Sequence, residues 1–505
     1  MSKSGIFSLV SRDERFDQYF TTTDYLRTRL LEKKKEREAA GLANPQPTFA
    51  DLERTHILYI RAGYRPFATV ACEYIRAQSR GDTSVITESG GSIQFTCPSH
   101  GQFTSDMVFH VRFDTLGPDE STSSDPLYRF CAYPGIRMFQ NVAFRSNETL
   151  IDDYTADDIS FVNKFMIPAD RRQAWDRGMG QAGVCTAEYT NKNGHTGVFS
   201  YREGLQTQKV QHKTQDLWVP LQFWMCHDAS NALLNDFMPT TQRTITAKIA
   251  PLSEIIQAID QTSGDIIPLP VDRLGIHIDL YVNNIFVNPE VHALFASRVG
   301  FSLIRVHRRQ NKILNMAAGR VLMDQLKYPA EYMYVGFRDR ENLKDFDNWH
   351  LYGRARERTD LTALKAPAYV WDPILISHKL LCLNAKAVDC LDPIIHKFNL
   401  TAHGIDLYPA SLPPSFYNMY TPQRYFTHTR IVAPKDTSAY LTTFCLYPGK
   451  YNPSGYYNLS TGRELYISYS GDAILPTKPV ELVASLSALN FLVRKGDTVS
   501  LRYGM

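Results

Sequence analysis

Four groups of residues in this chain could carry chemistry. Gly178, Gly180 and Gly183 spell GxGxxG, a phosphate-cradling turn that works directly after a buried parallel strand and at the opening of a helix. Here the charged run ADRRQAWDR precedes the glycines and Val184-Cys185-Thr186 follows, so a dinucleotide site is not expected. Asp152 with Asp153, and Asp157 with Asp158, suggest paired-acid cleavage of a glycoside, which needs two carboxyls roughly 5 to 9.5 Å apart. They sit in a polar stretch, where solvation is the simpler expectation. The fourteen histidines contain no HxH and no HExxH, and His307, His350, His396 and His403 stand alone, as polar groups of loops or core do. The eight cysteines (Cys72, Cys97, Cys131, Cys185, Cys226, Cys382, Cys390 and Cys445) include no CxxC pair, which argues for reduced thiols and against a zinc or dithiol site. The expectation is a protein that is not an enzyme, with no catalytic residue, no cofactor and no metal.

The elements that would position such residues read as strands. With 505 residues the chain is too long for one core. Its 28 Tyr, 27 Phe, 28 Gly and 27 Pro describe many short pleated segments between turns, an all-β composition. A net charge of +3 argues against coating nucleic acid. Met1 to Ser11 has no apolar core long enough for a secretory signal, and Leu482 to Val493 falls short of a membrane span. A soluble chain is expected, with the sequons at Asn147, Asn399 and Asn458 unused.

Residues 1–47 differ from the rest: Asp24 can cap a helix running to Gly41, with Lys34 and Glu38 at i,i+4. Strand-like segments follow, then a polar, glycine-bearing excursion over 165–215. Leu217, Val219, Leu221, Phe223 and Met225 alternate with Trp218 and Trp224, which predicts a strand apolar on both faces, buried between layers or against a partner. After a linker near 261–274, Leu280 to Val287 reads as a strand, and Asn288-Pro289-Glu290 is a cap, a first-turn proline and an acid that open a short helix. Near the C-terminus, Pro448-Gly449 and Pro453-Ser454-Gly455 punctuate a loop, after which Leu465, Ile467 and Tyr469 share one face of a strand.

Pro453, Ser454, Gly455, Asn458, Ser460, Arg463 and Glu464 resemble the C-terminal signature of the major capsid proteins of nucleocytoplasmic large DNA viruses, in their asfarvirus-like branch. Three earlier phrases resemble the family in the family's order: the text from Cys131, CAYPGIRMFQNVAF; the span from LWVPLQFW to TITAKIA, matching a hairpin that closes the first domain; and LYVNNIFVNPEVHALFASRVGFSLIRVHR, which holds Asn288, Pro289 and Glu290 and opens the second. The resemblance implies a double jelly roll with short helices in its loops: an N-terminal helical arm or base at 1–47, one roll at 48–262 and a second at 263–505. It implies a homotrimer of pseudo-hexagonal outline tiling an icosahedral virion shell, assembled in the host cytoplasm. Implied partners are the chain itself, minor capsid and penton proteins and, through the arm, the inner membrane surface, with no sequence-specific nucleic acid binding. The excursion at 165–215 is shorter than the family's counterpart, which implies a smaller outer crown. A carbohydrate-binding or carbohydrate-cleaving jelly roll and a noncapsid assembly scaffold are the alternative expectations.

Overall fold

A run that alternates apolar and polar side chains can bury one face only, and a chain made of such runs satisfies them by laying sheets face to face. The computed structural model describes residues 31–41 apart from 33, and 70–503 apart from 82–84, 88–89, 119–124, 182, 191–195, 239–241, 270–272, 356–390, 410–411, 427–430, 451, 460–463, 496–497 and, within 288–300, all but 289, 292, 293 and 296. Eight strands make a first sandwich: β1 (Val70–Arg76), β2 (Gly91–Thr96), β3 (Phe103–Phe113), β4 (Phe139–Ser146), β5 (Thr149–Thr155), β6 (Gln215–Pro220), β7 (Arg243–Ile249) and β8 (Arg273–Val287). One sheet runs β1-β8-β3-β6 and the other β2-β7-β4-β5, with antiparallel neighbours throughout.

The second sandwich comprises β9 (Phe301–Leu314), β10 (Ala318–Leu322), β11 (Pro329–Asp339), β12 (Lys397–Ala402), β13 (Ile405–Tyr408), β14 (Ala439–Thr443), β15 (Leu465–Ser470) and β16 (Val480–Lys495). Its sheets run β9-β16-β11-β14 and β10-β15-β12-β13, the first pattern shifted by eight strands. Each half is a jelly roll. Aromatic rings fill both cores: Phe109 stacks on Phe139 at 4.7 Å in the first, and Phe398 on Tyr440 at 5.7 Å in the second.

Several expectations need correcting. Strand β8 hydrogen-bonds to β1 and β3, so the chain leaves the first roll after Val287, not at 262. The expected strand–helix–strand phrase is therefore the junction between rolls. Pro289, His292, Ala293 and Ala296 are helical, and β9 opens the second roll. Strands β6 and β7 lie in different sheets and form no hairpin. Strand β6 buries Leu217 and Val219 but leaves Trp218 about half exposed, because its outer face meets no second layer within the roll. The excursion is structured: α1 (Ala156–Phe165) leads into it, and α2 (Ala169–Gly178) and a hairpin of Gly183–Thr190 with Thr196–Glu203 occupy it. The glycines of GxGxxG end α2 and precede a strand, the reverse of the dinucleotide order. In the arm, 34–39 is helical with Lys34 Nζ 3.8 Å from Glu38 Oε1 and Gly41 at φ +68°; the cap at Asp24 lies outside the described residues, as does most of 1–47.

The period of two in β15 holds, with Leu465, Ile467 and Tyr469 buried. Replacing Ile467 with Ala is expected to cost about 2–5 kcal/mol. Ser468→Ala, one residue on and turned outward, is expected to stay within about 0.5 kcal/mol, both read from urea unfolding midpoints.

Candidate assembly interface

The four aspartates singled out in the sequence are not in a solvated loop. Asp152 and Asp153 stand on β5, and Asp157 and Asp158 in the first turn of α1. The helix starts there because Thr155 and Asp158 form a capping box, Asp158 Oδ2 accepting the Thr155 N–H at 2.8 Å. This β5–α1 corner packs on the outer face of the β9-β16-β11-β14 sheet, where His307 and Arg309 project from β9 and Arg338 from β11. The expected acidic pairs are one side of the seam between rolls.

Each acid meets a donor from the second roll. Asp152, 0% exposed, accepts the backbone N–H of His307 at 2.8 Å and its Nδ1–H at 3.0 Å. Asp153 pairs with Arg309. Arg338 donates Nη1–H to Asp157 Oδ1 at 2.6 Å and Nη2–H to Glu481 Oε2 at 2.8 Å. Ser485 donates its hydroxyl to Asp158. Deeper in, Lys164 Nζ lies 3.1 Å from Asp436 Oδ2 with both side chains buried, and Asp436 also accepts the backbone N–H groups of Tyr352 and Gly353 at 2.7 and 2.8 Å. Removing one partner from such a buried pair costs about 3–5 kcal/mol, since the other is left charged and unanswered.

Apolar packing completes the seam. Phe161 of α1 lies between Tyr334 and Tyr352, stacked at 5.3 and 4.8 Å, and Phe165 stacks on Tyr334 at 5.1 Å. Tyr352 fits because residue 336 is glycine: a Cβ there would stand 2.4 Å from its ring. A second patch joins the rolls where Trp349 donates its indole N–H to Ala132 O at 2.6 Å and Arg129 reaches Asp347 at 3.0 Å.

The signature residues serve the backbone. Ser454 Oγ accepts the Tyr447 N–H at 2.7 Å, and Gly455 takes φ +127°. Asn458 pairs with Pro329 at the start of β11, Glu464 accepts the Tyr466 hydroxyl at 2.6 Å, and Pro453 and Pro289 are exposed. Ser460, Arg463, Asn288 and Glu290 lie outside the described residues. The isolated histidines divide: His307 belongs to the seam, His350 packs edge-on to Tyr133 at 5.0 Å, His396 is exposed beside Asp472, and His403 occupies a turn at φ +54°. Sequence reasoning missed His307, Arg309, Arg338, Lys164 and Asp436 as seam residues. The signal available was the run His307-Arg308-Arg309, opposite in charge to the four aspartates.

Burial pulls the His307 pKa down, and the Asp152 carboxylate more than reverses this, so the imidazole titrates above its ordinary value. A base raised by folding contributes stability fully below its unfolded pKa, about 6.5, and loses it as pH rises through the folded value. Burial pushes the Asp153 carboxyl up, but Arg309 holds it below the usual range. That contribution is present above about pH 3.9 and is lost as pH falls through the folded value. The His307 share of seam stability is thus expected to grow as pH falls from about 8 to about 6. Asp152→Asn is expected to lower the thermal midpoint and flatten its slope over that window, read by scanning calorimetry across pH; an unchanged slope would mean His307 does not titrate against Asp152.

No family model matches the chain. It is 26% identical to the hexon protein p72 of African swine fever virus (strain Badajoz 1971 Vero-adapted), over an alignment of 655 positions that spans all of both chains; a major capsid protein of the isolate Warthog/Namibia/Wart80/1980 matches at the same identity and coverage. With 655 aligned positions against 505 residues here, these relatives are longer. Among solved structures, the Faustovirus major capsid protein superposes with a TM-score of 0.68 at 26% identity, covering 94% of this chain and 98% of that one. The PBCV-1 virus capsid subunit shares the fold at a TM-score of 0.60 and 14% identity, covering 88% of this chain and 100% of that one. These relatives are structural proteins and not enzymes, which agrees with four aspartates engaged in a seam. A full-length likeness to such proteins, carried on two jelly rolls of identical strand order, places this chain with the major capsid proteins of the nucleocytoplasmic large DNA viruses.

Proposed function

We propose that the chain assembles as a homotrimer of pseudo-hexagonal outline and that such trimers tile an icosahedral shell of a large double-stranded DNA virus. The observation that carries this is the eight-strand offset: two rolls of one topology are joined by a seam in which one flank of the first meets the outer sheet face of the second. Such a contact is heterologous, and a heterologous contact repeated through a fixed rotation closes a ring or runs on as a filament. Three chains of two rolls would close a ring of six similar units. On this reading the subunit comprises an arm at 1–47, a first roll ending at Val287 and a second beginning at Phe301. Its further partners would be minor capsid and penton proteins and, through the arm, the inner membrane surface, with assembly in the host cytoplasm.

The purified full chain is expected to scatter light as a species of about 173 kDa, three times its 57.5 kDa. A strict monomer at every concentration would overturn the trimer.

A further inference from the structure

The two rolls share a topology, but their outer faces are treated differently. In the second roll the outer face of β9-β16-β11-β14 is covered by the β5–α1 corner, and Leu441 on β14 and Val483 on β16 are 0% and 1% exposed. On the matching strands of the first roll, Trp218 of β6 is 47% exposed and Tyr281 of β8 partly exposed, while the edge strands are open in both rolls, with Tyr74 of β1 at 55% and Phe301 and Ile313 of β9 at 63% and 56%. Polar groups on that face are partnered within it: Arg76 with Asp279 at 2.5 Å, His110 with Asp216 at 2.9 Å, and the Tyr74 hydroxyl with Asp106 at 2.6 Å. Between these pairs it presents aromatic rings, with Trp218 stacked on His110 at 4.3 Å and Tyr281 6.0 Å away. Such a surface suits an apolar occupant.

The opposite flank is equally unequal. In the first roll, β5, α1 and α3 (Trp224–His227), which lies in the connection 221–242, all meet the second roll. The second roll's equivalents are β13, the helical turns at Phe416–Tyr420 and the connection after β14. There Ile405 is 68% exposed and Leu446 67%, with Met419 and Tyr456 also exposed. Each chain therefore has one face and one flank of the kinds that are joined inside it.

We infer that the outer face of β1-β8-β3-β6, centred on Trp218 and Tyr74, docks the β13 flank of a second copy, including Ile405 and Leu446. The assignment rests on the trimer reading and goes beyond it by naming both surfaces. It repeats between chains the contact made within one, with a larger apolar share than the seam, where ion pairs and aromatic stacking are combined.

The test is sedimentation of the wild type, of two face variants, Trp218→Asp and Tyr74→Asp, and of one flank variant, Leu446→Asp, with far-UV circular dichroism confirming the fold of each. The wild type is expected as a trimer and each variant as a folded monomer. A 1:1 mixture of Trp218→Asp and Leu446→Asp retains one intact face and one intact flank on different chains. It is expected to yield a heterodimer of about 115 kDa, twice 57.5 kDa, and no closed ring. Folded variants that remain trimers would overturn the assignment while leaving the trimer standing. Monomers that fail to pair in the mixture would overturn the match of these two surfaces. A monomeric wild type would overturn the trimer reading itself.

Discussion

A carboxylate removed from water persists in a fold only if something answers it, and the seam between the two rolls is organised around that constraint. Asp152 has no exposed surface, and its two oxygens are used by one residue, His307, through a backbone and a ring N–H. The match demands that β9 stand in one register against β5: sliding by one residue would turn His307 and Arg309 into the second core and bring Arg308 outward. The ion pairs fix how the rolls sit, and the stack of Phe161 between Tyr334 and Tyr352 contributes apolar burial. This division of labour explains a polar contact at the centre of a large structural protein, where an apolar surface of the same size would be easier to desolvate.

The architecture was legible where side chains alternate. Strand β15 declares its buried face through Leu465, Ile467 and Tyr469, and the two sets of eight strands follow from such segments and the turns between them. Pairing partners are harder to read, because an antiparallel strand carries no local mark of which neighbour it will take. Strand β8 looked like the beginning of a second domain since it follows a Pro- and Gly-bearing linker, yet its hydrogen bonds complete the first sheet. Trp218 looked covered because its strand is apolar on both faces, which suits a place between layers or against a partner. On β6 it marks a face whose cover is not supplied by its own roll. The aspartates looked solvated because local sequence shows their neighbours and not the basic run at 307–309, more than a hundred residues away.

The contact within the chain and the one inferred between chains face different physical problems. The intrachain seam forms once, between rolls tethered by residues 288–300, so its partners are held at high effective concentration and its desolvation penalty is met during folding. A contact between separately folded subunits must also overcome the loss of translational and rotational freedom. Exposed charges that had to be stripped of water at that moment would add to the barrier. A face whose charged groups are already partnered with one another, with the rings of Trp218 and Tyr281 between them, lowers that cost without removing it and adds apolar burial.

The distribution of chain length fits the same geometry. Successive strands run up and down, so connections after odd-numbered strands gather at one end of the sandwiches and those after even-numbered strands at the other. The long connections 114–138, 156–214, 250–272, 340–396 and 409–438 all follow odd-numbered strands, whereas β4 passes to β5 and β12 to β13 through two residues each. At the second end, the connections after β6 and β14 and the junction 288–300 after β8 are the long ones. Parts of the first-end connections form the seam, with α1 from 156–214, Trp349 and Tyr352 from 340–396 and Asp436 from 409–438. Helix α1 ties the two together, since it begins the longest excursion and is also the element that fills the seam. Its capping box and its ion pairs fix the root of that excursion at the point where the rolls are joined.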